Sequence, residues 1–151
     1  RQLLIVGFAI RCIKMSTNLY HSPGLGNVGS YQLSARPYLT SSLDIPASTE
    51  EPIEVAFGTV TRFVIITNNT PASSTNVPMR FGFSANGVKG TSSSNYGILN
   101  NGESFEAEFK VIRVYLLSDS ANNATASVIA GLTGICNQRL PDNWSGSAGI
   151  G

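Results

Sequence analysis

The residues best placed to do chemistry are three glutamates in one short stretch, Glu103, Glu106 and Glu108. Two carboxylates at a suitable separation are what glycoside hydrolysis requires, because one donates a proton while the other attacks or activates water. Glu106 and Glu108, however, alternate with apolar residues as in an amphipathic strand, and Lys110 continues the same polar face. We therefore interpret these glutamates as a solvated strand face and not as a catalytic pair.

The single histidine, His21, is the second candidate for chemistry. Nucleophilic catalysis needs a base beside the nucleophile, and a metal site needs further ligands close to the histidine. His21 lies instead in a loop-rich segment without clustered partners, so we interpret it as a solvated or contact-making residue. Gly82, Gly87, Gly90 and Gly97 lack the spacing of a phosphate-binding loop and are interpreted as turn and bulge glycines. The chain is predicted to be a non-enzyme that uses no metal and no cofactor.

The two cysteines, Cys12 and Cys136, lie far apart and outside any metal-ligand or C-x-x-C spacing. Two free thiols are the favoured interpretation, and a disulfide that would tie the N-terminal segment to the end of the last strand stays open. Asn68, Asn123 and Asn143 each open an N-x-Ser/Thr sequon. Glycosylation of these asparagines also stays open, because it requires passage through a secretory compartment.

Length and composition predict one β-rich domain. The chain has 151 residues, of which 13% are charged and 42% are hydrophobic. Ser, Thr, Asn and Gly supply the polarity, a mixture typical of β-proteins whose turns use short hydrogen-bonding side chains. The formal net charge is +1, and Lys and Arg are scattered along the sequence. We therefore predict no nucleic-acid partner.

Apolar and polar residues alternate in several short runs, with the period of a strand that buries one face. Such runs cover residues 53–57, 79–83, 105–111 and 124–135, and shorter strands are expected at 31–40 and 96–99. The run from Val60 to Thr67 is rich in β-branched residues and becomes apolar on both faces, which predicts a central strand. Pro37 confines its strand to an edge or a bulge. A bend is expected near Lys110.

These runs predict an all-β fold, a single jelly-roll sandwich of about eight antiparallel strands with an extended N-terminal arm. Residues 1–30 form the predicted arm, residues 31–136 the jelly-roll domain and residues 137–151 a Gly/Ser-rich C-terminal tail. Residues 41–52 are expected to be a connector, Asn86-Gly87 and Lys89-Gly90 are interpreted as turn signals, and no helix is predicted.

The N-terminal arm carries a dense apolar run between Arg1 and Arg11. The run is far shorter than the ~20 residues that a membrane-spanning helix needs, and no small-residue cleavage site follows it. We predict that the arm docks on a neighbouring subunit, with contact to a membrane interface as the alternative. The candidate assembly contacts are Leu3, Leu4, Ile5, Val6, Phe8, Ile10, Tyr20 and Trp144.

Six stretches of the chain carry a family resemblance. They are Met15 to Gly24, Asn27 to Tyr31, Arg36 to Thr40, Arg80 to Val88, Leu99 to Phe105 and Ala130 to Ile135. Together they resemble the penton-type single jelly-roll proteins, a class of minor capsid proteins encoded by large icosahedral DNA viruses. Residues 1–14 precede the start of this resemblance.

The resemblance implies a structural virion protein, a penton subunit located at the five-fold vertices of an icosahedral capsid. It implies a homo-pentamer that contacts the double jelly-roll major capsid protein and other minor capsid proteins, and it allows for an internal membrane close by. Two other interpretations stay open. A carbohydrate-binding or adhesin module would use loop aromatics, for which Tyr20, Tyr96 and Trp144 are the candidates. A spike or decoration protein would share the fold and form trimers.

Overall fold

The structure is a computed structural model that describes residues 24–29, 35–71, 76–91, 94–140 and 144–151. These residues form eight strands, one short α-helix and one 3₁₀ turn. The strands are β1 (Arg36–Ile45), β2 (Ile53–Ala56), β3 (Thr59–Asn68), β4 (Met79–Gly82), β5 (Gly97–Leu99), β6 (Ser104–Ala107), β7 (Arg113–Ser118) and β8 (Ala124–Cys136). The helix α1 (Ala85–Lys89) lies between β4 and β5, and the 3₁₀ turn (Asn137–Arg139) follows β8.

The strands form two four-stranded antiparallel sheets that pack face to face. Sheet A has the order β1-β8-β3-β6, and sheet B has the order β2-β7-β4-β5. Every strand pair in both sheets is antiparallel. The predicted all-β sandwich of eight antiparallel strands is therefore confirmed. The predicted N-terminal arm falls largely on residues 1–23, which lie outside the described residues.

The core lies between the two sheets and is built from the alternate, inward-facing residues of each strand. Its fully buried members include Ile45, Val64, Ile66, Met79, Val114, Leu116 and Val128. Burying one such aliphatic side chain stabilises the fold by about 1.5–3 kcal/mol, so this layer supplies the main driving force for the sandwich. A smaller cluster of Val60, Ile112, Ile135 and Leu140 closes one end, and Leu25 packs against it.

Strand β3 lies between β8 and β6, which confirms the predicted central strand. Strand β1 is the edge strand of sheet A and carries Pro37, as predicted for a strand that contains proline. It also contains a register shift between Thr40 and Leu43, where Ser42 has a φ of 56°. The connector expected at residues 41–52 is wrong for its first five residues. The bulge lets the strand continue to Ile45, which is fully buried.

The expected bend near Lys110 is confirmed. Strand β6 ends at Ala107 in sheet A, and strand β7 begins at Arg113 in sheet B. The chain therefore crosses from one sheet to the other through residues 108–112, with Val111 and Ile112 both buried at the crossing.

Helix α1 occupies a stretch where the sequence predicted only turns, so that prediction is wrong. The Ser84 side chain caps the helix by accepting the N–H of Gly87 at 3.0 Å. Gly90 ends it with a φ of 74°, a left-handed conformation that glycine adopts without strain. Val88 is fully buried against sheet B. Two caps and one buried side chain thus stabilise a five-residue helix that has little propensity of its own.

Cys136 is disulfide-bonded, so the favoured interpretation of two free thiols is wrong. The residue ends strand β8, at the position that the open disulfide alternative required. Cys12, the other cysteine in the sequence, lies outside the described residues.

Candidate assembly surfaces

Helix α1 and polar side chains cover much of the outer face of sheet B. Helix α1 lies against β4 and β7, and Leu117, whose side chain points outward from β7, is 0% exposed. Arg80 lies on the same face, where it pairs with Asp119 at 2.5 Å and places its guanidinium 4.6 Å from the Tyr96 ring centroid. Ile98, directly opposite Arg80 at the β5 edge, is 49% exposed. Among the described residues, the one large apolar strand residue exposed on this face therefore lies beside an arginine.

The outer face of sheet A presents apolar side chains to solvent. Leu39 of β1, Ile129 of β8 and Ile65 of β3 are directly opposite one another and form one row across three strands. Leu39 is 69% exposed and Ile129 is 39% exposed. Pro37 and Phe63 flank Gly131 in the next row. We call these five apolar side chains, Pro37, Leu39, Phe63, Ile65 and Ile129, the apolar stripe.

A glycine in β8 gives the apolar stripe its shape. A Cβ atom at Gly131 would lie 2.4 Å from the Phe63 ring and 2.7 Å from the Cβ of Ala35. The Phe63 ring therefore covers the backbone at Gly131, which makes that part of the sheet surface apolar although the residue has no side chain. Such a close approach is available only to glycine.

The apolar stripe has polar borders. On the side toward the Ser118 to Ala124 turn, Thr67 and Ser104 join their hydroxyls at 2.8 Å, and Asp44 accepts a hydrogen bond from Asn123 Nδ2 at 3.1 Å. At the β6 edge the row of Leu39, Ile129 and Ile65 ends in Glu106, which is directly opposite Ile65 and is exposed. The row therefore runs from an exposed leucine at one edge to a carboxylate at the other.

A second group of exposed apolar residues surrounds Lys110 at the crossing between the sheets. Phe109 is 40% exposed and Trp144 is 48% exposed. The Trp144 indole N–H donates to the carbonyl oxygen of Lys110 at 3.3 Å, and the Lys110 ammonium donates to the carbonyl oxygen of Leu25 at 3.0 Å. We call Phe109, Lys110 and Trp144 the aromatic knob.

Thr61 fixes the aromatic knob to the sandwich. Its buried hydroxyl donates to the carbonyl oxygen of Phe109 at 2.7 Å and accepts the N–H of Val111 at 3.1 Å. The Phe109 ring packs edge-to-face against Phe83, with 5.3 Å between the ring centroids. Because both the backbone and the ring of Phe109 are held, this exposed aromatic residue is pre-organised for contact with another surface.

An open cleft of about 410 Å³ lies beside the tail, lined by Asn86, Arg113, Tyr115, Ser145, Gly146 and Gly151. Glu54 contacts two of these residues: its carboxylate lies 3.4 Å from Arg113 Nη1 and accepts the Tyr115 hydroxyl at 3.2 Å. The tail reaches this place because the Ser84 hydroxyl donates to the carbonyl oxygen of Ile150 at 2.6 Å. The cleft offers polar and aromatic groups to a small polar ligand.

The structure describes one of the eight predicted assembly contacts. Trp144 is half-exposed and belongs to the aromatic knob. The others lie outside the described residues, namely Leu3, Leu4, Ile5, Val6, Phe8, Ile10 and Tyr20. His21 also lies outside them, whereas Glu106 and Glu108 are exposed on the outer side of the sandwich. The apolar stripe was not predicted from the sequence. The signal for it is Ile129, a large apolar residue on a strand face that otherwise carries small and polar residues.

Two sequon asparagines lie in contrasting environments. Asn68 is fully buried, and its side-chain amide donates to the carbonyl oxygens of Val77 and Leu99, each at 3.0 Å. A folded chain therefore cannot present Asn68 for glycosylation. Asn123 is exposed beside the turn before β8. Asn143 lies outside the described residues.

Within the described parts of the chain, no group of three or more His, Cys, Asp or Glu residues is arranged to hold a metal ion. The helices of the same parts include none with the length and apolar character to cross a membrane. The sequence matched no protein-family model and no curated protein in the searches made with it.

Proposed function

We propose that this chain is a structural subunit of a virus capsid, a single jelly-roll penton protein that occupies the five-fold vertices of an icosahedral particle. The observation that carries the proposal is the pattern of strand pairing. Strand β1 pairs with β8, β2 with β7, β3 with β6 and β4 with β5. This is the order expected when a long hairpin of eight strands is rolled up into two sheets, and it supports the proposal of a jelly roll.

The stretches that resemble penton proteins fall on structural features of this fold. Arg80 to Val88 contains the junction from β4 to α1, which covers sheet B. Leu99 to Phe105 contains the turn from β5 to β6, where Asn100 and Glu103 are joined by hydrogen bonds. Ala130 to Ile135 includes Gly131 below the apolar stripe. The resemblance thus lies in residues that shape the sandwich and its surface, as is appropriate for an assembly protein.

The surface also fits a subunit that works by contact with other subunits. Contiguous exposed apolar patches mark sites of interaction with other proteins. The apolar stripe is such a patch, and the aromatic knob adds two exposed aromatic residues at the crossing between the sheets. In the proposed particle, these and other surfaces contact neighbouring copies, trimers of a double jelly-roll major capsid protein and other minor capsid proteins, close to an internal membrane where the virus has one.

The proposal is tested by measuring the assembly that the purified chain forms. Native mass spectrometry should find five times the chain mass of 16.0 kDa, and class averages from electron microscopy should show five-fold rings. A stable monomer under all conditions would contradict the proposal. A trimer would favour a spike or decoration protein, which shares the fold but differs in symmetry.

The second candidate function is carbohydrate binding, and the cleft beside Arg113 and Tyr115 is the observation that favours it. Sugars are held by polar side chains together with an aromatic ring, and the cleft offers both. Tyr96 is less suited to this role because the Arg80 guanidinium lies over its ring. Glycan-array binding that is lost in Tyr115→Ala, together with a monomeric wild type, would select this candidate over the capsid subunit.

A further inference from the structure

We propose that the aromatic knob of one copy of this chain docks on the apolar stripe of the next copy, so that subunits join head to tail. This inference rests on the proposed function and adds to it the two surfaces that make the contact. The partner that covers the apolar stripe is therefore a second copy of the same chain. The reasons are the asymmetry of the two sheets, the difference between the two surfaces and the charges that border them.

The asymmetry shows which face requires a partner. Sheet B buries its outward-facing Leu117, and the one large apolar residue that its described strands expose is Ile98, beside Arg80. Sheet A instead leaves Leu39 and Ile129 exposed side by side in one row. The three central residues of the apolar stripe lie on adjacent strands in register and carry no charge. A contiguous apolar row of this kind suits an apolar group of another protein surface better than a ligand that must be enclosed.

The difference between the two surfaces determines the kind of symmetry. A two-fold dimer would bring the same patch of both copies together, while a ring needs two unlike patches on one subunit. The apolar stripe lies on the outer face of sheet A. The aromatic knob lies at the crossing from β6 to β7 and is held there by Thr61. One chain thus carries two unlike exposed surfaces, and contact between unlike surfaces is what a ring requires.

The charges at the two surfaces favour one orientation of the contact. Glu106 ends the row formed by Leu39, Ile129 and Ile65. Phe109 lies between two exposed charged residues, Glu108 and Lys110. The Lys110 ammonium also donates to the carbonyl oxygen of Leu25. The favoured orientation is the one in which Lys110, and not Glu108, faces the carboxylate of Glu106. When the Phe109 ring of one copy lies on the row, Lys110 of that copy can approach Glu106 of the other. A charged pair at the border of an apolar contact fixes its register and orientation more than its affinity.

The test uses two variants that each damage one surface and leave the other intact. Leu39→Glu places a carboxylate in the apolar stripe, and Phe109→Ser removes the tip of the aromatic knob. Lys110→Glu is a second knob variant that serves if Phe109→Ser fails to fold, because Lys110 is exposed, although the substitution also removes its hydrogen bond to the carbonyl oxygen of Leu25. Ile98→Glu is the matched control, because Ile98 is an exposed apolar strand residue on the outer face of sheet B.

Each variant is purified with a different tag, and its mass is measured alone and after mixing. We expect Leu39→Glu and Phe109→Ser each to lose the wild-type ring, with at least a tenfold rise in the dissociation constant. Lys110→Glu should weaken the ring by a smaller, measurable amount, while Ile98→Glu keeps it. Mixing Leu39→Glu with Phe109→Ser should give a 1:1 dimer and nothing larger. In that dimer the aromatic knob of the Leu39→Glu chain contacts the apolar stripe of the Phe109→Ser chain. The two remaining surfaces carry the substitutions and cannot bind a further copy.

The outcomes separate this inference from the proposed function. A wild-type ring that persists in both the stripe and the knob variants overturns the head-to-tail contact and leaves the capsid proposal standing. Loss of the ring in Leu39→Glu alone, with normal assembly of both knob variants, indicates a stripe-to-stripe contact and also overturns the inference. Folded, monomeric variants that form no mixed dimer overturn it as well. A monomeric wild type overturns both proposals.

Discussion

The two outer faces of the sandwich differ in how their apolar residues are covered. On sheet B, Leu117 and Val88 are both fully buried, and helix α1 lies against β4 and β7. Ile98 is the one large apolar residue that the described strands of this sheet expose, and it lies beside an arginine. On sheet A, Leu39 and Ile129 lie at outward positions next to each other and both remain exposed. The chain therefore covers much of one face with its own helix and leaves a contiguous apolar row on the other. This division separates a face that contributes to stability from a face that can contribute to assembly.

The difference comes from short connections rather than from the strands. The connection from β4 to β5 is long enough to hold a helix, and Ser84 and Gly90 cap that helix so that Val88 reaches the sheet. The turn from β7 to β8 is instead closed by Ser118, whose hydroxyl donates to the carbonyl oxygen of Asn122 at 2.6 Å. Because this hydrogen bond is made within the turn, the turn stays at the end of the sandwich and leaves the outer face of sheet A uncovered.

The largest expected effect contrasts one leucine from each face. Leu117→Ala should destabilise the fold by about 2–5 kcal/mol, because it leaves a cavity under α1. Leu39→Ala should change the free energy of unfolding by no more than about 0.5 kcal/mol, since the side chain is exposed in the single chain. Urea unfolding measures both, at a concentration where the mass corresponds to one chain, because assembly adds its own stabilisation. Equal losses for the two leucines would abolish the proposed distinction between the faces.

The next effect concerns the surface of the apolar stripe. Gly131→Ala should force the Phe63 ring away from β8, because the new Cβ would lie 2.4 Å from that ring. Such overpacking costs about 1–3 kcal/mol, and the reshaped stripe should also weaken the ring. Unfolding and native mass spectrometry together measure the two consequences.

Gly134→Ala is the matched control for that experiment, because Gly134 lies in the same strand and is exposed. We expect it to leave the ring intact. If Gly131→Ala also assembles normally with unchanged stability, the Phe63 ring does not shape the receptor surface.

The strands could be predicted from the sequence because each depends on local alternation. Residues 53–57 and 79–83 show the two-residue period directly, and the structure places β2 and β4 there. Pro37 in an edge strand follows from its missing N–H, which a central strand would need. The bend near Lys110 was expected as well, although the local pattern there also allowed one unbroken strand.

The surfaces could not be predicted, because they depend on register between distant segments. Leu39, Ile65 and Ile129 meet only after β1 and β3 both pair with β8. Asn68 shows the same limit: it directly follows the predicted central strand and opens a sequon, yet it is fully buried and donates to the carbonyl oxygens of Val77 and Leu99. An asparagine that cross-links three segments has the same local sequence signal as one in a turn.

Helix α1 could not be predicted because its own residues are turn signals. Asn86-Gly87 and Lys89-Gly90 are strong turn signals, and they remain part of a helix only because Ser84 precedes them and sheet B lies beneath them. Gly87 is also required for contact, since a Cβ there would lie 2.3 Å from the carbonyl oxygen of Ile150. Neither the sheet surface nor the returning tail is visible in the local sequence.

A smaller effect tests the cover of sheet B. Ser84→Ala removes the cap of α1 and the hydrogen bond to Ile150, and we expect a loss of about 1 kcal/mol. The Gly87 amide should then exchange its hydrogen faster, because it loses its acceptor. Ser94→Ala, at an exposed serine in the loop after α1, is the control. Assembly should stay normal in both variants, and a broken ring in Ser84→Ala would mean that the covered face also takes part in assembly.

The smallest effect concerns the charges that border the exposed face. Glu106→Lys and Lys110→Glu should each weaken the ring by placing like charges together, and the double variant should recover most of the loss. We expect the recovered coupling to be about 0.2–1 kcal/mol per contact, because both side chains are exposed and screened by water. The coupling should also shrink as salt is raised, since the Debye length falls from about 10 Å at 0.1 M to about 3 Å at 1 M. Additive losses in the double variant at low salt would show that Glu106 and Lys110 do not meet across the interface, even if the apolar stripe and the aromatic knob do.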